Sequence, residues 1–165
     1  MSRLKEKTLY LRNQGVMKGG RPVFTKVLKG NYPYKGKYIT TTSEEGIYFY
    51  QLSLLDKFKK KGKNFIIEYN NLIGYRYTVH STYYKKITLI FKDELEFNFI
   101  FLANCEDAYD NQPNADYLMK KLKDMKVYQK NNLKGGKRGQ KVISKKDQLF
   151  TKEVRSPSKK RGLFW

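Results

Sequence analysis

Two runs in the second half of the chain set the pattern. Ile87, Leu89 and Phe91 alternate with Thr88 and Ile90. After Lys92-Asp93-Glu94, the residues Leu95, Phe97, Phe99 and Phe101 alternate with Glu96, Asn98 and Ile100. Successive side chains on a strand point to opposite faces, so this period of two, broken by a polar turn, predicts a hairpin with one buried and one partly wet face. Upstream, 37–42 and 46–52 are rich in Tyr, Ile, Phe and Thr, with Thr42-Ser43-Glu44-Glu45 as the turn between them. Segments 65–69 and 72–79 read as two further strands parted by Asn70-Asn71, with Gly74 as a bulge. His80-Ser81-Thr82 then turns the chain into a strand over 83–91, and 57–63 (KFKKKGK) reads as a charged loop.

The period changes after Pro113. Asn114-Ala115-Asp116 offers a cap and an acidic first turn; Leu118, Leu122 and Met125 follow at helical spacing, with Lys120, Lys121, Lys123 and Lys126 on the other side. This predicts an amphipathic helix whose apolar stripe packs on the sheet. Outside these elements the apolar residues are sparse. Gly15 to Gly20 and Leu133 to Gln140 are Gly/Lys/Arg stretches without apolar period, and Lys18-Gly19-Gly20-Arg21 resembles Lys134-Gly135-Gly136-Lys137-Arg138-Gly139. Neither end carries enough apolar surface to offset its ordering entropy, so both are expected to be disordered when free. The organisation expected is a basic extension over 1–35, a folded domain over 36–127 and a basic tail over 128–165.

Charge sharpens that division. The net charge is +20. Residues 1–35 hold nine Lys/Arg and one acid (+8), 36–127 fourteen and twelve (+2), and 128–165 twelve and two (+10). Charge concentrated at the two ends points to a polyanionic partner. One cysteine, Cys105, excludes an internal disulfide, and the first residues lack the apolar core of a signal peptide. No apolar run approaches the ~18 residues of a membrane span. A soluble protein, intracellular (cytoplasmic) or packaged in a virion, is expected.

The middle segment resembles a GRAM or PH-like domain. The resemblance rests on Gly36-Lys37-Tyr38-Ile39-Thr40-Thr41, then Gly46-Ile47-Tyr48-Phe49, then Phe65-Ile66-Ile67-Glu68-Tyr69-Asn70-Asn71-Leu72-Ile73-Gly74. Ile87 to Asp93, Phe97-Asn98-Phe99 and a closing helix complete it. The resemblance implies a mainly β (α+β) fold, a bent antiparallel sheet or barrel capped by a C-terminal helix, here with extended basic N- and C-terminal tails. Such domains bind membranes, peptides or other proteins. Phosphoinositide-binding members have a basic loop after their first strand; here that loop holds Ser43-Glu44-Glu45, which would repel a phosphate.

No catalytic signature stands out. His80 has no motif partner, Cys105 lies beside Glu106 and Asp107, where a thiolate is disfavoured, and no phosphate-cradling Gly-rich motif occurs. No enzyme, no metal and no cofactor is expected. The reading favoured is a structural or assembly protein of a nucleic-acid-containing particle, a phage virion or a ribonucleoprotein. Its domain docks on protein neighbours while the tails bind RNA or DNA phosphates without sequence specificity. Lys18, Arg21, Lys134, Lys137, Arg138, Lys141, Lys159, Lys160 and Arg161 are the expected phosphate contacts, because glycine lets backbone approach a phosphate and adjacent bases release counterions. Tyr10, Tyr32, Tyr34 and Tyr128 are the stacking candidates. Leu163, Phe164 and Trp165 are the expected anchor in a partner's pocket. The alternative is a PH/GRAM-like adaptor on anionic membrane surfaces or protein partners.

Overall fold

A computed structural model describes residues 3–28, 35–52, 64–79, 84–93, 95–102, 111–129 and 151–153. The chain opens with helix α1 (Arg3–Asn13), followed by β1 (Gly20–Val27), β2 (Gly36–Thr42), β3 (Gly46–Leu52) and β4 (Phe65–Glu68). A single 3-10 turn, Tyr69–Asn71, leads into β5 (Leu72–Val79), β6 (Tyr84–Phe91) and β7 (Glu96–Leu102). Helix α2 (Asn111–Asp124), β8 (Tyr128–Gln129) and β9 (Thr151–Glu153) complete the described elements.

The strands form one mixed, open sheet of nine, ordered β8-β5-β6-β7-β1-β2-β3-β4-β9. All pairings are antiparallel except that of β5 with β8. Strand β1 is the seam: it pairs with β2 through Phe24↔Ile39 and Lys26↔Lys37, and with β7 through Thr25↔Phe101 and Val27↔Phe99.

Ring contacts reveal how strongly the sheet bends. In the sheet order β3 lies three steps from β7, about 14 Å if flat. Yet the Phe49 ring on β3 meets Phe97 and Phe99 of β7, each at a centroid distance of 5.4 Å. Phe65 of β4, one step further out, reaches Phe97 at 5.8 Å. The two halves of the sheet therefore face each other, and their inner rows make the main core. Tyr38, Ile47, Phe49, Ile67, Ile87, Leu89, Phe97, Phe99 and Phe101 are buried there, with Ala115, Leu118 and Leu122 of α2. Edge-to-face rings dominate the centre, including Tyr38 against Phe49 at 87°.

A second cluster lies on the outer face of β2, β3 and β4. Ile39, Tyr48, Tyr50, Leu52 and Ile66 are buried against Leu11 of α1 and Val16, with Tyr10, Met17 and Phe24 at the margin. Segment 1–35 is thus no extended basic tail, contrary to the sequence expectation: its helix covers the outside of the sheet and its strand joins the two halves.

Both helices end on the same backbone device. The Gly15 N–H donates to Arg12 O and the Val16 N–H to Leu11 O, with Gly15 at φ +68°. The Lys126 N–H donates to Lys123 O and the Val127 N–H to Leu122 O, with Lys126 at φ +65°. Each is a Schellman motif, closed by an apolar contact between the residue after the left-handed position and the start of the last turn. Leu11 and Val16 are buried in one, Leu122 and Val127 in the other.

The expected strands and the late hairpin appear at their predicted places. The hairpin's second face differs from expectation: Thr88, Ile90 and Ile100 are buried as well. Helix α2 begins at Asn111, ahead of the expected cap at Asn114. Its Met125 lies past the helix end and is exposed rather than part of the stripe.

Candidate polyanion-binding surface

Lys18 and Arg21, the first two expected phosphate contacts, sit on folded backbone. The Lys18 N–H donates to the Tyr50 hydroxyl (2.7 Å), and Lys18 O accepts from Thr41 Oγ1 (2.6 Å). The Tyr50 hydroxyl donates in turn to Val16 O at 3.3 Å. Burial pushes the Tyr50 phenol well above its ordinary range, the Lys18 N–H offsetting only part of this. The adjoining glycine serves packing: a side chain on Gly19, at φ +73°, would collide with the Thr42 carbonyl. Gly19 is therefore required by the close approach of β1 to β2, where the sequence suggested a flexible phosphate contact. The side chains of Lys18 and Arg21 remain exposed, and the Arg21 guanidinium lies 5.0 Å from the centre of the Tyr117 ring on α2.

Two asparagines fasten α2 against this region. Asn111 Oδ1 accepts the Phe24 N–H at 3.1 Å, just before Thr25, the first residue of β1 that pairs with β7. Asn114 Nδ2 donates to Pro22 O at 2.8 Å. Asn64 does the same for β3 by accepting the buried Gln51 N–H at 2.8 Å. These side chains continue ladders where a neighbouring strand has ended.

The acidic turn changes meaning once β1 is in place. Ser43-Glu44-Glu45 joins β2 to β3, so it is the second connection of the sheet, and the first is made by residues 28–35. In sequence that segment holds Lys29 and Lys35, with Lys26 and Lys37 just outside it. The acidic turn is itself a fixed structural part. Ser43 Oγ accepts the N–H groups of Glu45 and Gly46, and the Tyr69 hydroxyl donates to Ser43 O at 2.6 Å. Glu44 accepts a hydrogen bond from Lys121 Nζ of α2 at 2.6 Å, which holds the Lys121 ammonium above its ordinary range.

On the outer face, one row of the sheet is basic. Lys37 is opposite Lys26, Lys26 is opposite Ile100, and Ile100 is opposite Lys86. The row beside it, Arg76, Thr88 and Asn98, is polar: Thr88 donates to Asn98, and Arg76 reaches diagonally across β6 to an ion pair with Glu96 in the next row. No sequence period could expose the basic row, because its members lie on strands separated by up to sixty residues.

The other sequence candidates divide two ways. Tyr10 is half-buried in the second cluster, so it is no stacking platform, whereas Tyr128 is exposed on β8. Lys134, Lys137, Arg138, Lys141, Lys159, Lys160, Arg161, Leu163, Phe164 and Trp165 lie outside the described residues, as do Tyr32, Tyr34, His80, Cys105 and loop 57–63. Among the described residues no three His, Cys, Asp or Glu side chains gather as metal ligands, and no helix is long and apolar enough to cross a membrane.

No protein-family model matches the chain, and no curated protein matches it in sequence. The class defined by fold and surface is thus a mainly β (α+β) domain with a bent sheet, a covering helix on each side and a basic outer row.

Proposed function

We propose that this chain is a non-enzymatic binding and assembly protein that holds nucleic-acid phosphates in a larger particle, a virion or ribonucleoprotein, while its folded part docks on protein neighbours. The observation carrying this reading is the charge distribution: twelve bases against two acids in residues 128–165, next to a middle segment of near-balanced charge. Such a segment gains affinity by releasing counterions and needs no recognition element. Leu163, Phe164 and Trp165 suit a pocket on a protein neighbour.

The scaffold proposed is PH-like. A four-stranded meander (β1–β4), a three-stranded meander (β5–β7) and a following helix support it, with β1 shared by both halves.

The test is fluorescence anisotropy of labelled RNA and DNA with the full chain across a salt series. Replacing Lys134, Lys137, Arg138 and Lys141 by Gln is expected to flatten the slope of log K against log salt by about 3, at ~0.7–0.9 per phosphate contact. An unchanged slope would refute the tail as the binding element.

A second reading is favoured by one observation. With the acidic turn assigned to the second connection, the segment between β1 and β2 is basic in sequence, and Lys26 and Lys37 flank it on opposed positions. That suits an anionic membrane surface, where each nearby base contributes about 1 kcal/mol. Vesicles with and without anionic lipid, run beside the oligonucleotides, separate the two.

A further inference from the structure

We infer that the folded sheet itself contributes a contact for a single nucleic-acid strand, laid across Lys26 and Lys86 on the outer face with a base stacked on Tyr84. This rests on the nucleic-acid reading above and deepens it by moving part of the contact from the tail to the domain.

The face follows from parity. Val27 and Tyr38 belong to the main core, so Lys26 and Lys37, one position away, point outward with Phe24 and Ile39. Ile87 and Leu89 are core, so Tyr84 and Lys86 also point outward. Lys26 and Tyr84 are exposed and Lys86 is half-buried. Ile100, between the two lysines, is only 7% exposed, so the row presents charge without open apolar ground for a protein partner.

The geometry favours a polymer over a single headgroup. Lys37 and Lys86 stand three strand steps apart, about 14 Å. The row lies on the outside of a sheet bent around its core, so its cations splay apart where a headgroup site would need them to converge. A backbone with a charge at every nucleotide can follow such a row. Tyr84 supplies the second element of single-strand binding, an exposed aromatic next to the cationic track.

The experiment uses the full chain with a fluorescein-labelled 20-nucleotide oligo(U), and phosphatidylserine vesicles in parallel. Lys26→Gln with Lys86→Gln is expected to lower the salt slope by about 1.4, at ~0.7 per contact with a single strand. Lys26→Arg with Lys86→Arg is expected to restore it. Tyr84→Ala is expected to weaken oligo(U) binding about tenfold at every salt concentration, and Tyr84→Phe to leave it unchanged. Thermal melts confirm that the variants fold. Folded Gln and Ala variants that bind like the parent chain, while the tail variant loses binding, overturn this inference and spare the tail reading. Losses confined to vesicles overturn it in favour of lipid. A parent chain that binds no oligonucleotide removes both.

Discussion

A methyl group on Gly46 would collide with the Ile67 carbonyl and the Glu68 Cα of β4. These are backbone atoms and cannot swing aside, so Gly46→Ala is expected to cost about 3 kcal/mol, read as a lowered urea midpoint. Lys126 holds the left-handed position that Gly15 holds at the other helix end. Lys126→Gly removes a Cβ strain of ~1–2 kcal/mol and adds some unfolded-state entropy, so a gain of about 1 kcal/mol is expected, seen as a melting temperature raised by roughly 3 °C. Tyr50 and Tyr69 have phenols driven up mainly by burial. Raised values mean that the native state keeps protons that the unfolded state releases above pH ~10. Stability is therefore fully present below pH ~10 and falls as pH rises from there towards the native values, by about 1.4 kcal/mol per pH unit for each phenol. Urea melts between pH 8 and 11 check this, and Tyr50→Phe is expected to remove one phenol's share of the slope.

At the scale of elements, the sequence made β2 to β7 legible because alternating Phe, Tyr and Ile runs carry their own period. It hid α1 and β1. Arg3–Asn13 offers few apolar positions, and β1 is broken by Pro22 and a register shift, so neither shows a clean stripe. The signal that could have found α1 is Leu11, Gly15 and Val16 at Schellman spacing, which reads as a flexible glycine if the helix before it is missed. The start of α2 was obscured in the same way, since the Asn111 side chain accepts from a strand residue 87 positions away. Removing it leaves the Phe24 N–H without its acceptor, so Asn111→Ala is expected to cost about 1–3 kcal/mol in denaturant melts. Hydrogen exchange should show the loss concentrated at β1. The basic outer row was illegible for a related reason: its order is spatial, set by registers between distant strands.

Considered whole, the molecule does not divide where its charge does. Residues 1–35 look separable by charge, yet they supply the strand between β7 and β2 and the helix over the outer cluster. A fragment of residues 36–127 would lack that seam and expose Ile39, Tyr50 and Ile66, so it is expected to show no cooperative thermal transition, whereas the full chain does. Charge-neutralising substitutions are for this reason a sounder probe than truncation, and the same holds at the other end, where β8 and β9 close the two sheet edges.

The seam also has a consequence in time. β1 leaves the ribosome early, with β2 soon after it, but its other neighbour, β7, ends at Leu102. At roughly 5–20 residues per second, the wait is on the order of ten seconds. For that interval one edge of β1 stays open and the Phe-rich inner row has no facing half. The nascent chain is most exposed to mispairing there, and a chaperone that acts on it would act in that window.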